Sequence, residues 1–364
     1  MHLTILAVLA LAGAAVSGNG TARFERIVCP ATAQYPRHSE GDIEVLRDGR
    51  LLLAWTEFEG GFADDARAQI TGKTSSDGGR TWGEKFVLQG NIGRRNVMSA
   101  SLLRKRDGEL LLFFLRKDGP DDLSVWMRRA VREPTEWTSP TRVSSLPGYN
   151  VMNDDRVIEL SSGRLLAPVA LCSDISKDCR GQKSLCYISD DDGRTWRAGK
   201  GRVGFEKSAA MEPGAVELRD GRVLMIIRTS LGYVYQSHSR DKGDTWSDPT
   251  TMPLVAPAAP ASIARLPSTG DLLMIWINNP KGAKADWKER TPLAAATSRD
   301  EGKTWTNVRN IEDDPRGSFG YCSITFVGDR ALLTYYDWRD GGQKGFEGTS
   351  LRFRSLPVLW FYGR

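Results

Sequence analysis

One phrase recurs six times along the chain: a short polar stretch, a glycine, then an apolar run. It reads Arg47-Asp48-Gly49-Arg50-Leu51-Leu52-Leu53 at first, then Arg106-Asp107-Gly108-Glu109-Leu110-Leu111-Leu112. Ser162-Gly163-Arg164-Leu165-Leu166, Arg219-Asp220-Gly221-Arg222-Val223-Leu224-Met225, Thr269-Gly270-Asp271-Leu272-Leu273-Met274 and Val327-Gly328-Asp329-Arg330-Ala331-Leu332-Leu333 complete the set. The six glycines are spaced 59, 55, 58, 49 and 58 residues apart. Asp-Gly or Ser-Gly supplies the positive φ of a tight turn, and the flanking residues are apolar and β-prone, so each phrase reads as a hairpin. Six near-equal units of this length are too long for the strands of a sandwich and match one four-stranded blade each. The expected fold is all-β, a six-bladed β-propeller. No long amphipathic helical pattern competes with it.

A second repeat is interleaved with the first and reads Ser-x-Asp-x-Gly-x-Thr-Trp. Its copies run from Ser75 to Trp82, Ser189 to Trp196, Ser239 to Trp246 and Ser298 to Trp305, with a worn copy between Arg129 and Trp137. The residue types describe a self-satisfied turn: Asp and Ser/Thr side chains hydrogen-bond local backbone, glycine takes the left-handed position, and Trp packs between sheets. The aspartates of this motif are therefore expected to be structural rather than catalytic.

The eight-residue pattern resembles the Asp box of the sialidase (neuraminidase) superfamily, and the resemblance spans roughly residues 25–355. Asp boxes also occur in lyases, arabinanases, receptors and binding propellers, so the site is argued separately. In each hairpin the start of the first strand and the end of the second share the edge opposite the turn. Arg37, Asn96, Asn153, Glu212, Ser262 and Tyr321 lie seven to twelve residues before the turn glycines, and further polar residues, Arg228 among them, follow the second strands. They are expected to converge on a polar pocket at one face.

Five positions resemble the sialidase site. Arg37 precedes the first inner strand, although Arg37-His38-Ser39 departs from the Arg-Ile-Pro usual in the family. Glu212-Pro213-Gly214 leads through Gly221 to Arg228, a close match. Arg290 stands ahead of a strand running into the box at Ser298, and Tyr321 precedes the last inner strand. The resemblance implies that Arg37, Arg228 and Arg290 clamp the sugar carboxylate through charge-assisted bonds. It implies Tyr321 as nucleophile with Glu212 as its base, because a carboxylate nucleophile would be repelled by the substrate's own charge. The family's acid/base Asp lies about eight residues before the first box Asp, which here falls on Gln69. Asp65, then Asp64, are the nearest carboxylates on the correct edge, with Glu40 and Asp42 behind them. Asn153, Asp155 and Asn96 are read as pocket wall.

The implied activity is exo-α-sialidase-like: a glycoside hydrolase releasing terminal sialic or another nonulosonic acid from glycoconjugates with retention. Two alternatives stay open: a propeller glycosidase or lyase acting on another sugar, and a non-catalytic glycan-binding propeller. No cofactor or metal is expected, since there is no CxxC and there are three histidines. Lys+Arg 50 against Asp+Glu 45 gives +5 without a basic block, which argues against nucleic acid as a partner. Residues 1–18 read as an export signal, with an apolar stretch from Leu3 to Val16 followed by Ser17 and Gly18, too short to favour a membrane span. A single domain over 19–364, secreted or periplasmic and monomeric, is expected. Of five cysteines, Cys172 and Cys179 would close a short disulfide loop.

Overall fold

The computed structural model describes residues 22–173, 181–339 and 346–364. The chain is all-β. The helical segments among these residues are two short 3-10 turns, Gly282–Lys284 and Val358–Tyr362. Four four-stranded sheets and one ten-stranded sheet account for the described strands.

The phrase found in the sequence is the hairpin at the start of each unit. In the first sheet Arg37–Val45 pairs antiparallel with Leu51–Phe58, and Ala68–Ser75 and Phe86–Gln89 follow. The intervening turn places Gly49 at φ 85° and closes with Gly49 N–H to the Leu46 carbonyl at 2.9 Å. Gly108, Gly163, Gly221, Gly270 and Gly328 all take positive φ at the equivalent turns. Asn96–Arg104, Met211–Glu217, Ser262–Arg265 and Gly317–Val327 open four further units in the same way. The second and third units are counted as one sheet of ten strands because Tyr149–Val151 bridges in parallel to Leu123–Arg132 at Tyr149 and Leu123.

Consecutive units are stitched by side chains of their opening strands. Asp42 Oδ2 accepts from the Leu102 amide at 2.7 Å, and Ser101 Oγ accepts from the Arg156 amide at 3.0 Å. Ser262 Oγ donates to the Cys322 carbonyl, and Thr325 Oγ1 donates to the Ile43 carbonyl at 2.6 Å. Two contacts reach further: Asp155 Oδ2 takes the Ile324 amide at 2.8 Å, and Arg156 Nη2 donates to the Ala261 carbonyl at 2.9 Å. Between sheets the core is aliphatic and aromatic, with Trp55, Trp276, Phe113, Phe114 and Phe353 fully buried.

The last sheet takes its outer strand from the other end of the chain. Phe24–Cys29 pairs antiparallel with Ser350–Pro357, Phe24 opposite Ser355.

The Asp boxes are the self-satisfied turns expected. In the first, Asp77 Oδ1 accepts from Ser75 Oγ at 2.8 Å and from the Thr81 amide at 2.8 Å, while Oδ2 accepts from Thr81 Oγ1 at 2.6 Å. Asp191, Asp241 and Asp300 repeat the arrangement. Trp82 packs edge-on against Phe353 with ring centroids 5.5 Å apart. The worn copy keeps part of the plan: Trp137 Nε1 donates to the Pro134 carbonyl as Trp82 Nε1 does to Gly79.

Cys172 is disulfide-bonded, Cys29, Cys186 and Cys322 are free and buried, and Cys179 lies outside the described residues. The expected export signal, residues 1–18, also lies outside them. No helix among the described residues is long and apolar enough to cross a membrane.

Candidate active site

The opening strands share a distortion that builds the site. Their pairing slips between Ser39 and Asp42, between Met98 and Ser101, between Met211 and Gly214, and between Gly320 and Ser323. At each slip one non-glycine residue takes positive φ: Glu40 at 54°, Ser99 at 59°, Glu212 at 42° and Tyr321 at 53°. These β-bulges re-aim a side chain that a regular strand would send to a sheet face. Each left-handed residue costs roughly 1–3 kcal/mol, a cost typical of functional positions. Glu40, Ser99, Glu212 and Tyr321 all line one cavity of about 220 Å³, together with Asp64, Tyr149, Asn153 and Gln182. The fifth unit has Pro260 ahead of Ser262–Arg265, where the ring fixes φ near −65° and excludes this turn. None of the cavity's lining residues comes from that unit's opening strand.

Tyr321 and Glu212 form the centre. The phenol donates to Glu212 Oε1 at 3.0 Å, and Arg228 Nη1 donates to Glu212 Oε2 at 2.5 Å. Burial works to raise the Glu212 carboxyl, but the charges of Arg228 and Arg290 and the hydrogen bonds from Arg228 and Tyr321 outweigh it, so Glu212 is held below the usual carboxylate range. Burial and the Glu212 charge push the Tyr321 phenol above its ordinary value against the pull of Arg228 and Arg290. The resting pair is thus a neutral phenol donating to a carboxylate.

The three arginines gather around this pair. Arg290 lies 5.9 Å from the Tyr321 ring centroid and donates through Nη1 to Tyr336 Oη at 3.0 Å. Arg37 and Arg290 both approach the Phe346 ring, at 5.1 and 5.9 Å from its centroid. Arg37 Nη1 donates to Asp64 Oδ1 at 2.6 Å and to the Phe62 carbonyl at 3.0 Å. Among the described residues all three guanidiniums make their side-chain contacts to the protein through Nη1, leaving Nη2 uncommitted. Guanidinium forks of this kind pair with carboxylates, and none of the three arginines is among the residues that line the cavity.

Of the two candidate acids, Asp64 is the one that stands beside Arg37. Both are exposed, but Asp64 lines the cavity at its rim and pairs with Arg37, whereas Asp65 is absent from the lining. The charge and hydrogen bond of Arg37 outweigh desolvation at the rim and hold Asp64 below its ordinary value. Asn96 does not line the cavity. Its Nδ2 donates to the carbonyls of Asp64 and Ala66 at 3.0 and 2.7 Å and pins the loop that carries Asp64. Asn153 lines the cavity as expected. Asp155 does not; it is consumed by the Ile324 amide, and Asp42 by the Ile43 and Leu102 amides. Ser99, Tyr149, Gln182, Tyr336 and Phe346 were not singled out by the sequence. The one usable signal was for Ser99, which stands nine residues before its turn glycine, as Glu40 and Glu212 do.

Residues 49–333 match the BNR repeat-like domain family. The chain belongs to the sialidase (BNR) superfamily. It is 25% identical to a sialidase of Micromonospora viridifaciens over an alignment of 395 residues that takes in 97% of this chain and 57% of that protein. This BNR-family chain therefore spans just over half the length of that curated relative. Among solved structures, a Dyadobacter fermentans protein of unknown function superposes with a TM-score of 0.75 at 19% identity, covering 93% of this chain and 99% of that one. Trypanosoma rangeli sialidase bound to the inhibitor DANA gives 0.73 at 16% identity, over 92% of this chain and 59% of the sialidase. A mutant of the NanB sialidase of Streptococcus pneumoniae gives 0.70 at 15% identity, over 92% and 70%. These structural likenesses concern the fold.

Proposed function

We propose that the protein is an exo-acting sialidase-type glycoside hydrolase that releases terminal sialic or a related nonulosonic acid with retention of configuration. The observation that carries this reading is the hydrogen bond from Tyr321 to Glu212, with Arg228 on the second Glu212 oxygen. The sugar carboxylate would take the free Nη2 groups of Arg37, Arg228 and Arg290. Tyr321 Oη attacks the anomeric carbon as its proton passes to Glu212, and Asp64 gives a proton to the departing glycosidic oxygen. A water then gives its proton to Asp64 and attacks the same carbon. The bond to Tyr321 breaks, and the phenol regains its proton from Glu212. Asp64 is held low by Arg37 in the empty site; a substrate carboxylate that takes over Arg37 frees it to hold the proton an acid needs.

The same reading treats the six hairpin units as six blades around one axis, with Phe24–Cys29 completing the last. The contacts of consecutive opening strands and the long-range links Asp155 to Ile324 and Arg156 to Ala261 support it. It includes a single domain, exported after removal of residues 1–18, that meets its glycans as a monomer.

The test is release of 4-methylumbelliferone from its α-sialoside by the mature chain, alongside Tyr321→Phe and Arg228→Ala. Turnover by the parent and its loss in both variants is the expected result. A folded parent without turnover on this substrate overturns the proposal.

A further inference from the structure

The reaction above uses one carboxylate at Tyr321 and one at the leaving group, and the cavity holds a third. Glu40 lines it, is 5% exposed, and takes a φ of 54° at the bulge of Arg37–Val45. Its Oε2 accepts from Thr56 Oγ1 at 3.2 Å, while Oε1 has no protein partner among the described residues. Arg228 pairs with Glu212 and Arg37 with Asp64, so Glu40 has no arginine of its own. The charged and titratable groups around it are Arg37, Asp64 and Glu212, with Tyr321, Tyr149 and Asp154 on the neighbouring strands and loops.

We infer that Glu40 couples the binding of an anionic sugar at Arg37 to the uptake of one proton. The inference rests on the sialidase-type reading, because the sugar carboxylate supplies the incoming charge. Placing that carboxylate against Arg37 sets a second negative charge beside Glu40 in a desolvated cavity, and the neutral acid is the form that tolerates it. Burial already holds Glu40 up at about 7, with Arg37 the main opposing charge, so it is partly ionised near neutrality before any ligand arrives. The other groups do not change over the same range. Glu212 is held low and stays ionised, Tyr149 and Tyr321 are held high and stay neutral, and Asp64, released from Arg37 by the incoming carboxylate, returns towards its ordinary 3.8, on the acid side of this range. Asp154 is raised by burial, but it is not among the residues lining the cavity. The sign follows: below about 7 Glu40 is protonated and the anion binds best; above it, each added unit of pH makes the required proton harder to supply.

Calorimetric titration of the full chain with DANA, from acid to alkaline side of neutrality and in buffers of unlike ionisation heat, tests this. On the alkaline side the parent is expected to take up about one proton per DANA bound, its affinity falling up to roughly tenfold per pH unit. Glu40→Gln should lose both effects and keep its acid-side affinity throughout, and Asp154→Asn should keep both. Proton uptake near zero in the parent overturns the inference without any variant. So does a pH slope that survives in Glu40→Gln or disappears in Asp154→Asn. DANA binding without pH dependence removes this inference alone, whereas no DANA binding at any pH by a folded parent removes the sialidase-type reading beneath it.

Discussion

The Asp boxes and the cavity both hold carboxylates set by the repeat, at every box and at two of the four bulges, yet they use them in opposite ways. In a box, Asp77 commits both oxygens to its own turn; desolvation is the largest single effect and works to raise it, but those bonds together outweigh it and hold the carboxyl at about 2. In the cavity, Glu40 sits on left-handed backbone with one oxygen uncommitted, and burial holds it at about 7. A carboxylate whose acceptors are all filled locally is a fastener. One that is buried with an acceptor open can exchange a proton or meet a ligand. Period alone does not separate them; the conformation of the one residue and the supply of local donors do.

The comparison can be broken at its strongest point by removing the charge that faces Tyr321. Glu212→Gln keeps the shape but not the base, and should lower kcat on the α-sialoside roughly 10²–10⁴-fold while thermal unfolding stays cooperative. Unchanged turnover would place Glu212 with the fasteners. The converse change is Gly79→Ala in the first box. Gly79 has φ 90°, and a Cβ there would lie 2.3 Å from the Phe353 ring. A loss of roughly 2–4 kcal/mol in urea unfolding is expected, with kcat of the remaining folded enzyme unchanged. A selective fall in kcat would show that box and cavity are coupled. The smallest effect sharpens the contrast through pH. Asp77 and Asp241 have folded values of about 2, below their ordinary 3.8, so they contribute stability at neutral pH that is lost as pH falls from about 4 towards 2. Asp77→Asn should make acid unfolding of the chain less steep in that window and leave neutral-pH activity alone. An unaltered acid transition would mean the box bonds form equally in the unfolded chain.

The repeat made the hairpins, the boxes and the expected positions of Glu212, Arg228 and Tyr321 legible, because turn glycines and Asp-Thr-Trp spacing are local chemistry. Ser99 was missed for a physical reason. A bulge adds one residue to one strand, so alternation stops reporting which face a side chain takes. Glu40 was visible only as a spare acid, since nothing in Arg37-His38-Ser39-Glu40 announces a left-handed residue. Asp64 and Asp65 are adjacent in sequence and differ in which one the loop turns toward Arg37. That choice is made by Asn96, some thirty residues away, holding the carbonyls of Asp64 and Ala66. Tyr336 and Phe346 reach the site only through tertiary packing on Arg290 and Arg37.

The pairing of Phe24–Cys29 with Ser350–Pro357 also sets the order in which the molecule can be finished. Phe24–Cys29 emerges during synthesis more than three hundred residues ahead of its partner, so it must wait unpaired while everything between is made. A chain cut short before Ser350 would leave that strand without a neighbour and the last sheet open at its edge, a state prone to sticking and to proteolysis. The outer strand of the last sheet thus ties closure of that sheet to the synthesis of two segments far apart in the chain.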